Sequence, residues 1–261
     1  HKKMGITARG AWESVKAHFR LLNHNIQEKP FDVIGVGDMG GDVFGNGMLL
    51  SEHIRLVGAF NHLHIFCDPT PDPASTFKER KRLFDNVMGW DQYDKKKLSQ
   101  GGRIYSRADK LLELTPEIKE RFDLTKDKVT PLELIRAMLK GRTDLLWFGG
   151  IGTYIKSSRE SHADVGDKAN DAIRIDAPEI RAKVIGEGAN LGVTQLGRVE
   201  FGERGGRINT DFIDNSGGVD CSDHEVNIKI LLSDVMSQKD NDMDLKARNK
   251  LLEKMTEDVA E

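Results

Sequence analysis

Two cysteines, Cys67 and Cys221, are too few in 261 residues for a disulfide framework. They read as the reduced thiols of a cytoplasmic protein. No apolar run approaches the roughly 20 residues that a membrane-spanning helix needs. The first residues lack the basic, apolar and small-residue succession of a secretory signal. Charge of one sign is not in excess: 39 Lys and Arg face 42 Asp and Glu, for a net −3. That balance argues against a nucleic-acid footprint, and the short basic runs 78–82 and 95–97 read as solvated helix faces. There is no internal repeat and no low-complexity linker. The length suffices for one large α/β domain or two small ones.

What the chain does have is glycine at the ends of apolar runs. Val33 to Val36 reads as a buried strand that meets Gly35, Gly37 and Gly40 in the spacing G-x-G-x-x-G. Strand, glycine turn and helix in that order form the phosphate-binding corner of a dinucleotide fold. In that corner the first glycine allows a tight turn, the second lets backbone approach a pyrophosphate, and the third lets helix pack on strand. The following helix, with Asp42 as its cap and an end near His53, presents its N-terminus to the phosphates. Gly45 and Gly47 weaken that helix, and close helix–sheet packing is the expected reason for them.

The rest repeats the strand–loop–helix rhythm. Thr7 is placed to cap a helix over Arg9 to Leu22, with Ala11, Val15, Phe19 and Leu22 on one face. The second strand is expected near Leu63 to Cys67 and ends in Asp68. An acidic residue at that strand end binds the adenosine ribose in dinucleotide folds. Asp68 lies about 30 residues past the glycines rather than the usual 20 or so, a delay that the extra 55–61 stretch explains. Asp72 lies close by and no Arg or Lys precedes Lys78, so the reading is NAD rather than NADP. A charged helix follows over Ser75 to Asn86. Residues 89–128 read as an insertion, with a short strand over Arg103 to Ser106 and a helix after Thr115-Pro116. Thr130-Pro131 opens a helix, and Asp144 to Phe148 is a strand ending in Gly149-Gly150-Ile151-Gly152-Thr153. Ala182 to Ile185 is a strand before Gly186-Glu187-Gly188-Ala189-Asn190, and a helix begins near Thr194. Arg207 to Phe212 is expected as the last strand. A helix from Ser222 carries Val226, Ile230, Leu231 and Val235, and another runs from Leu245 to Ala260. These alternations predict a Rossmann-like, doubly wound α/β fold with a mostly parallel sheet and helices on both faces.

Two other clusters carry less. His62 and His64 alternate near Cys67 and Asp68, but the spacing matches no strong zinc pattern, and no metal site is expected. Ser222 and Glu225 have the S-x-x-E spacing of a capping box, which accounts for both without chemistry.

Four segments together resemble the cofactor domain of glutamate dehydrogenases: Thr7-Ala8-Arg9-Gly10, Gly35-Val36-Gly37-Asp38-Met39, Gly186-Glu187-Gly188-Ala189-Asn190 and Asn215-Ser216-Gly217-Gly218-Val219. The stretches 1–13 and 222–229 look like the large bacterial NAD-specific type. The resemblance implies NAD as cofactor, held by Thr7 at the carboxamide and by Gly35, Gly37, Asp38, Met39 and Gly40 at the pyrophosphate. It implies Asp68 at the ribose and Asn190 and Asn215 at the nicotinamide end. Gly150, in the glycine cluster after the 144–148 strand, is a further candidate on the cofactor side. Val219 and Ser222 match residues near the side chain of the substrate, L-glutamate or 2-oxoglutarate. The implied catalytic lysine and aspartate belong to a substrate domain that precedes this one, so no catalytic residue is assigned here and Lys2 and Lys3 do not stand in. Both ends look cut, and residues 1–261 read as one cofactor domain of a longer enzyme, with a homo-oligomer implied for the whole. The alternatives are a leucine, valine or phenylalanine dehydrogenase, or a non-catalytic nucleotide-sensing module.

Overall fold

The computed structural model describes residues 4–238 and 242–260; Lys2 and Lys3 lie outside the described residues. Helix α1 (Ile6–Leu21) leads into strand β1 (Phe31–Val36), the short helix α2 (Asp42–Gly47), β2 (Ile54–Phe60), β3 (His64–Cys67) and α3 (Pro73–Asp85). Then come β4 (Arg103–Ser106), β5 (Leu112–Glu113), α4 (Pro116–Arg121), β6 (Lys128–Val129), α5 (Pro131–Leu139) and β7 (Thr143–Phe148). The remainder is β8 (Ile155–Lys156), α6 (His162–Val165), β9 (Ile175–Asp176), β10 (Ala182–Glu187), α7 (Gln195–Glu203), α8 (Asp211–Asp214), α9 (Ser216–Ser237), α10 (Leu245–Lys254) and α11 (Thr256–Ala260).

Six strands form the central sheet in the order β10-β7-β1-β2-β3-β4. β10, β7, β1 and β2 are mutually parallel, and β3 runs antiparallel to both of its neighbours. The parallel strands are buried on both faces, as continuous apolar runs such as Leu145 to Phe148 require. One core, with Trp12, Phe19, Phe44, Leu83 and Trp147, lies under α1, α2 and α3. The other, with Ile118, Phe122, Ile135, Met138 and Phe201, lies under α4, α5 and α7. The sheet is therefore doubly wound, as the alternation of segments predicts.

Several expectations change. The run 54–66 is two strands rather than one. Asn61 Oδ1 accepts from the N–H groups of Leu63 and His64, which reverses the chain after β2. β3 therefore returns antiparallel, and Asp68, whose N–H donates to Val57 O, lies well below the C-terminal edge of the sheet. His62 belongs to the turn and does not share a strand face with His64. The segment 89–128 supplies the edge strand β4 and buries Trp90 in one core and Phe122 in the other. The expected strand over 207–212 shrinks to a single bridge between Arg207 and Val184. Residues 211–214 turn helical because Asp211 and Asp214, three apart, anchor on backbone N–H groups of the 187–191 segment. α2 stops at Gly47 rather than near His53, and its cap is Gly41 rather than Asp42. α1 begins at Ile6 after Gly5, so Thr7 sits inside its first turn and is not the cap.

The last long helix begins at Ser216, so Ser222 and Glu225 are interior and form no capping box. Its start crosses the start of α1 closely, and a Cβ on Gly218 would lie 1.8 Å from Thr7 Oγ1. Only a hydrogen at that position lets the two backbones approach. Val226, Ile230 and Leu231 stay exposed, while Cys221 and Leu232 are the apolar side chains that this helix buries.

Two outcomes are expected from this packing. Helical Gly→Ala changes ordinarily stabilise by about 0.5–1 kcal/mol, and Gly202→Ala in α7, which faces open space, should do so in denaturant unfolding. Gly218→Ala should instead destabilise by about 1–3 kcal/mol, the usual range for overpacking. A pH effect follows from the N-terminus of α5, where Thr130 and Glu133 form a capping box. Bonds from Lys126 and then from Thr130 hold the Glu133 carboxyl down at about 2. Its contribution is thus present above the ordinary glutamate range near 4.5 and is lost as pH falls from there towards 2. The stability gap between wild type and Glu133→Gln should close over that window.

Candidate functional site

The site is built on the C-terminal edge of the parallel strands, where the segments after β1 and β7 leave to opposite faces, Phe44 joining one core and Tyr154 and Ile155 the other. β1 ends at Val36, and Gly37 follows with φ +136, a conformation that disfavours any side chain. The Gly37 N–H donates to Phe60 O at 2.7 Å, and Gly37 O accepts from the Trp90 indole at 2.9 Å. Trp90 stacks on Phe66 with ring centroids 4.6 Å apart. The segment 89–128 thus clamps the turn from behind. From β7, the Gly149 N–H donates to Val36 O at 2.9 Å. A Cβ on Gly150 would lie 3.5 Å from Val36 O and 3.7 Å from Gly37 Cα, so the two glycine loops face each other across a narrow crevice.

The glycines divide their work differently from the motif's usual pattern. Gly35 lies within β1, where a Cβ would press 2.6 Å from the Phe44 ring. It serves the packing of α2 on the strand, and Gly37 makes the turn. Met39 is wholly buried in the core, so its side chain is unavailable to a ligand. Asp38 Oδ1 accepts from the Gly40 N–H at 2.9 Å, and its Oδ2 accepts from Asn61 Nδ2 at 2.7 Å. That carboxylate orders the turn from within.

Asp68 is not at this edge. Its side chain is fully buried, and Oδ1 accepts from both the N–H and the hydroxyl of Ser99. Burial raises its pKa, against the pull of Ser99 and Arg80. Asp72 caps α3 through the Ser75 N–H at 2.8 Å. The polar residue at the end of β2 is Asn61, the position that reasoning from sequence missed because β2 itself was misplaced. Folding also brings a cation there: Arg107 Nη1 donates to Asn61 O at 2.7 Å.

A separate cleft gathers five of the residues singled out from sequence. Thr7, Asn190, Asn215, Val219 and Ser222, with Gly218, Asp223 and Val226, line an open cleft of about 470 Å³. Asn215 Nδ2 donates to Asn190 Oδ1. Asn215 is buried, and its Oδ1 has no hydrogen-bond partner among the described residues. A buried acceptor left open beside two further polar side chains fits a primary amide, such as the nicotinamide carboxamide, which brings both an NH2 and a carbonyl. Asp223 and Val226 join the cleft because α9 is continuous through 222, which the capping-box reading hid. Among the described residues no group of three or more His, Cys, Asp or Glu side chains is arranged to hold a metal ion. No described helix is long and apolar enough to cross a membrane.

The loop bearing Asn190 rests on buried charge. Glu187 ends β10 and takes a two-point bond from Arg198, at 2.8 and 3.0 Å. Burial pushes its carboxyl up to about 7 despite that partner. Asp214 accepts from the Glu187 N–H at 2.9 Å, and burial raises its pKa as well. A second open cleft, of about 510 Å³, lies by the C-terminus of α5. Six of its ions pair off, Lys126 with Glu133, Lys140 with Glu179 and Arg181 with Asp123, while Arg136 donates to the Arg174 carbonyl.

Comparison with known proteins agrees with this architecture. The glutamate dehydrogenase of Plasmodium falciparum superposes with a TM-score of 0.50 at 12% identity, over 98% of this chain and 43% of that one, which supports the fold. The NAD-specific glutamate dehydrogenase of Halomonas elongata is 61% identical over the whole of this chain. That of Pseudomonas aeruginosa is 61% identical over 99% of it. The chain spans 16% of the length of each of these two relatives. Residues 1–261 match throughout the family described as bacterial NAD-glutamate dehydrogenase, catalytic domain, and the chain belongs to that family.

Proposed function

We propose that residues 1–261 act as one cofactor domain that binds NAD along the C-terminal edge of the sheet. Within a longer, cytoplasmic and homo-oligomeric enzyme, the domain serves the oxidative deamination of L-glutamate to 2-oxoglutarate and ammonia. The observation that carries this reading is the convergence of Thr7, Asn190, Asn215, Val219 and Ser222 on one cleft. The names of the relatives, NAD-specific glutamate dehydrogenases, support both cofactor and substrate.

NAD, when bound, supplies the hydride acceptor. The residues of this chain hold and orient it. The backbone at Gly37, Gly40 and Gly150 lines the pyrophosphate crevice, and Gly35 and Met39 support that backbone from the core. Asp38 with Asn61 stands at the strand end where the ribose is expected, in the role that sequence reasoning assigned to Asp68. Thr7, Asn190 and the open Oδ1 of Asn215 take the carboxamide end. Val219 and Ser222 face the substrate's side chain. The lysine and aspartate of the acid–base chemistry belong to polypeptide outside these residues. Val219 and Val226, which line the cleft, form an exposed apolar row on α9 with Ile230 one turn further on. Such a row suits cover by the substrate domain.

The 261-residue chain should quench or shift NADH fluorescence on titration and should produce no NADH from glutamate and NAD. Turnover by this chain alone would refute the division of labour proposed here. NADPH should bind more weakly than NADH; the reverse order, with Arg107 reaching a 2′-phosphate, would refute the NAD assignment. Gly150→Leu fills the crevice, where a Cβ meets ordinary contact distances only. It should therefore leave thermal stability nearly unchanged and lower NADH affinity more than tenfold, or over about 1.4 kcal/mol.

A further inference from the structure

The loop from Gly188 to Val193 is fastened by three carboxylates. At its start the Glu187 N–H donates to Asp214 Oδ2 at 2.9 Å. In its middle the Leu191 N–H donates to Asp211 Oδ2 at 2.8 Å. At its end the Val193 N–H donates to Glu187 Oε1 at 3.1 Å. Arg198 on α7 ties two of these acceptors together, bonding both Glu187 oxygens and lying 3.2 Å from Asp211 Oδ1. The Glu187 side chain is completely buried and that of Arg198 is nearly so.

Fold stability alone does not call for this arrangement. A buried ion pair costs desolvation that well-packed apolar side chains avoid, and replacing one is often neutral or stabilising. Leu191 holds φ +60, a left-handed conformation that is costly for a branched side chain. Its side chain is 61% exposed, so packing does not impose the conformation. The hydrogen bond to Asp211 does. What the loop presents between these fixed points is Asn190, bonded to Asn215 in the cleft.

We propose that Glu187, Arg198 and Asp211 are positioning residues that set Asn190 against Asn215 and so preorganise the nicotinamide end of the cleft, separately from the pyrophosphate end. The proposal rests on the cofactor reading above. Preorganisation of this kind acts on the group that the loop touches and leaves distant contacts alone. The charged groups facing Glu187 are Arg198 from α7 and Asp211 from α8, with Asp214 on its backbone N–H. Its carboxyl titrates near 7. Below that pH the protonated side chain loses its charge and one of its acceptor sites for Arg198, and the loop slackens.

The test uses the intact natural polypeptide that carries this chain, with NADH and ADP-ribose as probes, because ADP-ribose lacks the nicotinamide. Glu187→Gln and Asp211→Asn should each weaken NADH about tenfold, the equivalent of one charge-assisted hydrogen bond. ADP-ribose should change by less than about twofold on the same scale. In wild type the preference for NADH over ADP-ribose should fall as pH drops through 7, and in Glu187→Gln it should be flat. The wild-type profile needs no variant to fold. Equal losses for both ligands, undiminished NADH affinity in both variants, or a pH-independent wild-type preference would overturn the proposal while leaving the cofactor reading intact. Wild-type protein that binds neither ligand would remove both.

Discussion

The volume of one side chain constrains three of the segments packed around β7. Trp147 sits on β7, between β10 and β1, fully buried, with Trp12 of α1 meeting it edge-on at 5.8 Å. Its indole leaves no room for side chains on three neighbours. A Cβ at Gly47 would lie 2.6 Å away, one at Gly186 3.0 Å, and one at Gly188 3.1 Å. These glycines come from α2, from β10 and from the loop after β10. With them, the short helix lies directly on the strand, and the Asn190 loop curls over the indole. The aromatic thus supplies buried area that a small parallel sheet needs, and the glycines convert its bulk into close approach. Helix α2, strand β10 and the start of the Asn190 loop are thus all packed against one ring.

Around that ring the polar groups fall into two sets. The Gly37 turn is held by internal hydrogen bonds: to Phe60, from the Trp90 indole, and between Asp38, Gly40 and Asn61. The turn is therefore rigid before any ligand arrives, which lowers the ordering cost of binding. At the cleft, by contrast, Asn215 keeps a buried acceptor open. A buried unpaired acceptor costs on the order of 1–3 kcal/mol. That cost is held in place by the Glu187–Arg198–Asp211 charges behind the neighbouring loop. Shape at one end and unsatisfied polarity at the other are what a ligand with a phosphate middle and an amide head would meet.

Much of this was legible along the chain because it depends on local rules. The helices opening at Thr115, Thr130 and Thr194, the strand ending at Phe148, the strand beginning at Ala182, and the β4 strand follow from residues within a few positions of one another. The close packing expected of Gly47 against the sheet is realised at Trp147, while Gly45 instead meets Phe84 of α3. Asp68 shows where local reading stops. Its motif context is sound, but its place depends on whether the apolar run before it folds as one strand or two. That was settled by the Asn61 turn and by the pairing of 54–60 with β1.

The sequence by itself determined a doubly wound α/β fold, the glycine corner, and the residue types that now line one cleft, since period, capping and glycine placement act over short distances. Tertiary structure decided what those residues have in common. It set Thr7 of α1 against Gly218 of α9 and coupled Asn190 to Asn215 across 25 positions. It withdrew Met39 and Asp68 into the interior and brought Arg107 to the end of β2. Burial and long-range pairing are properties of the packed chain, and no window of neighbouring residues contains them.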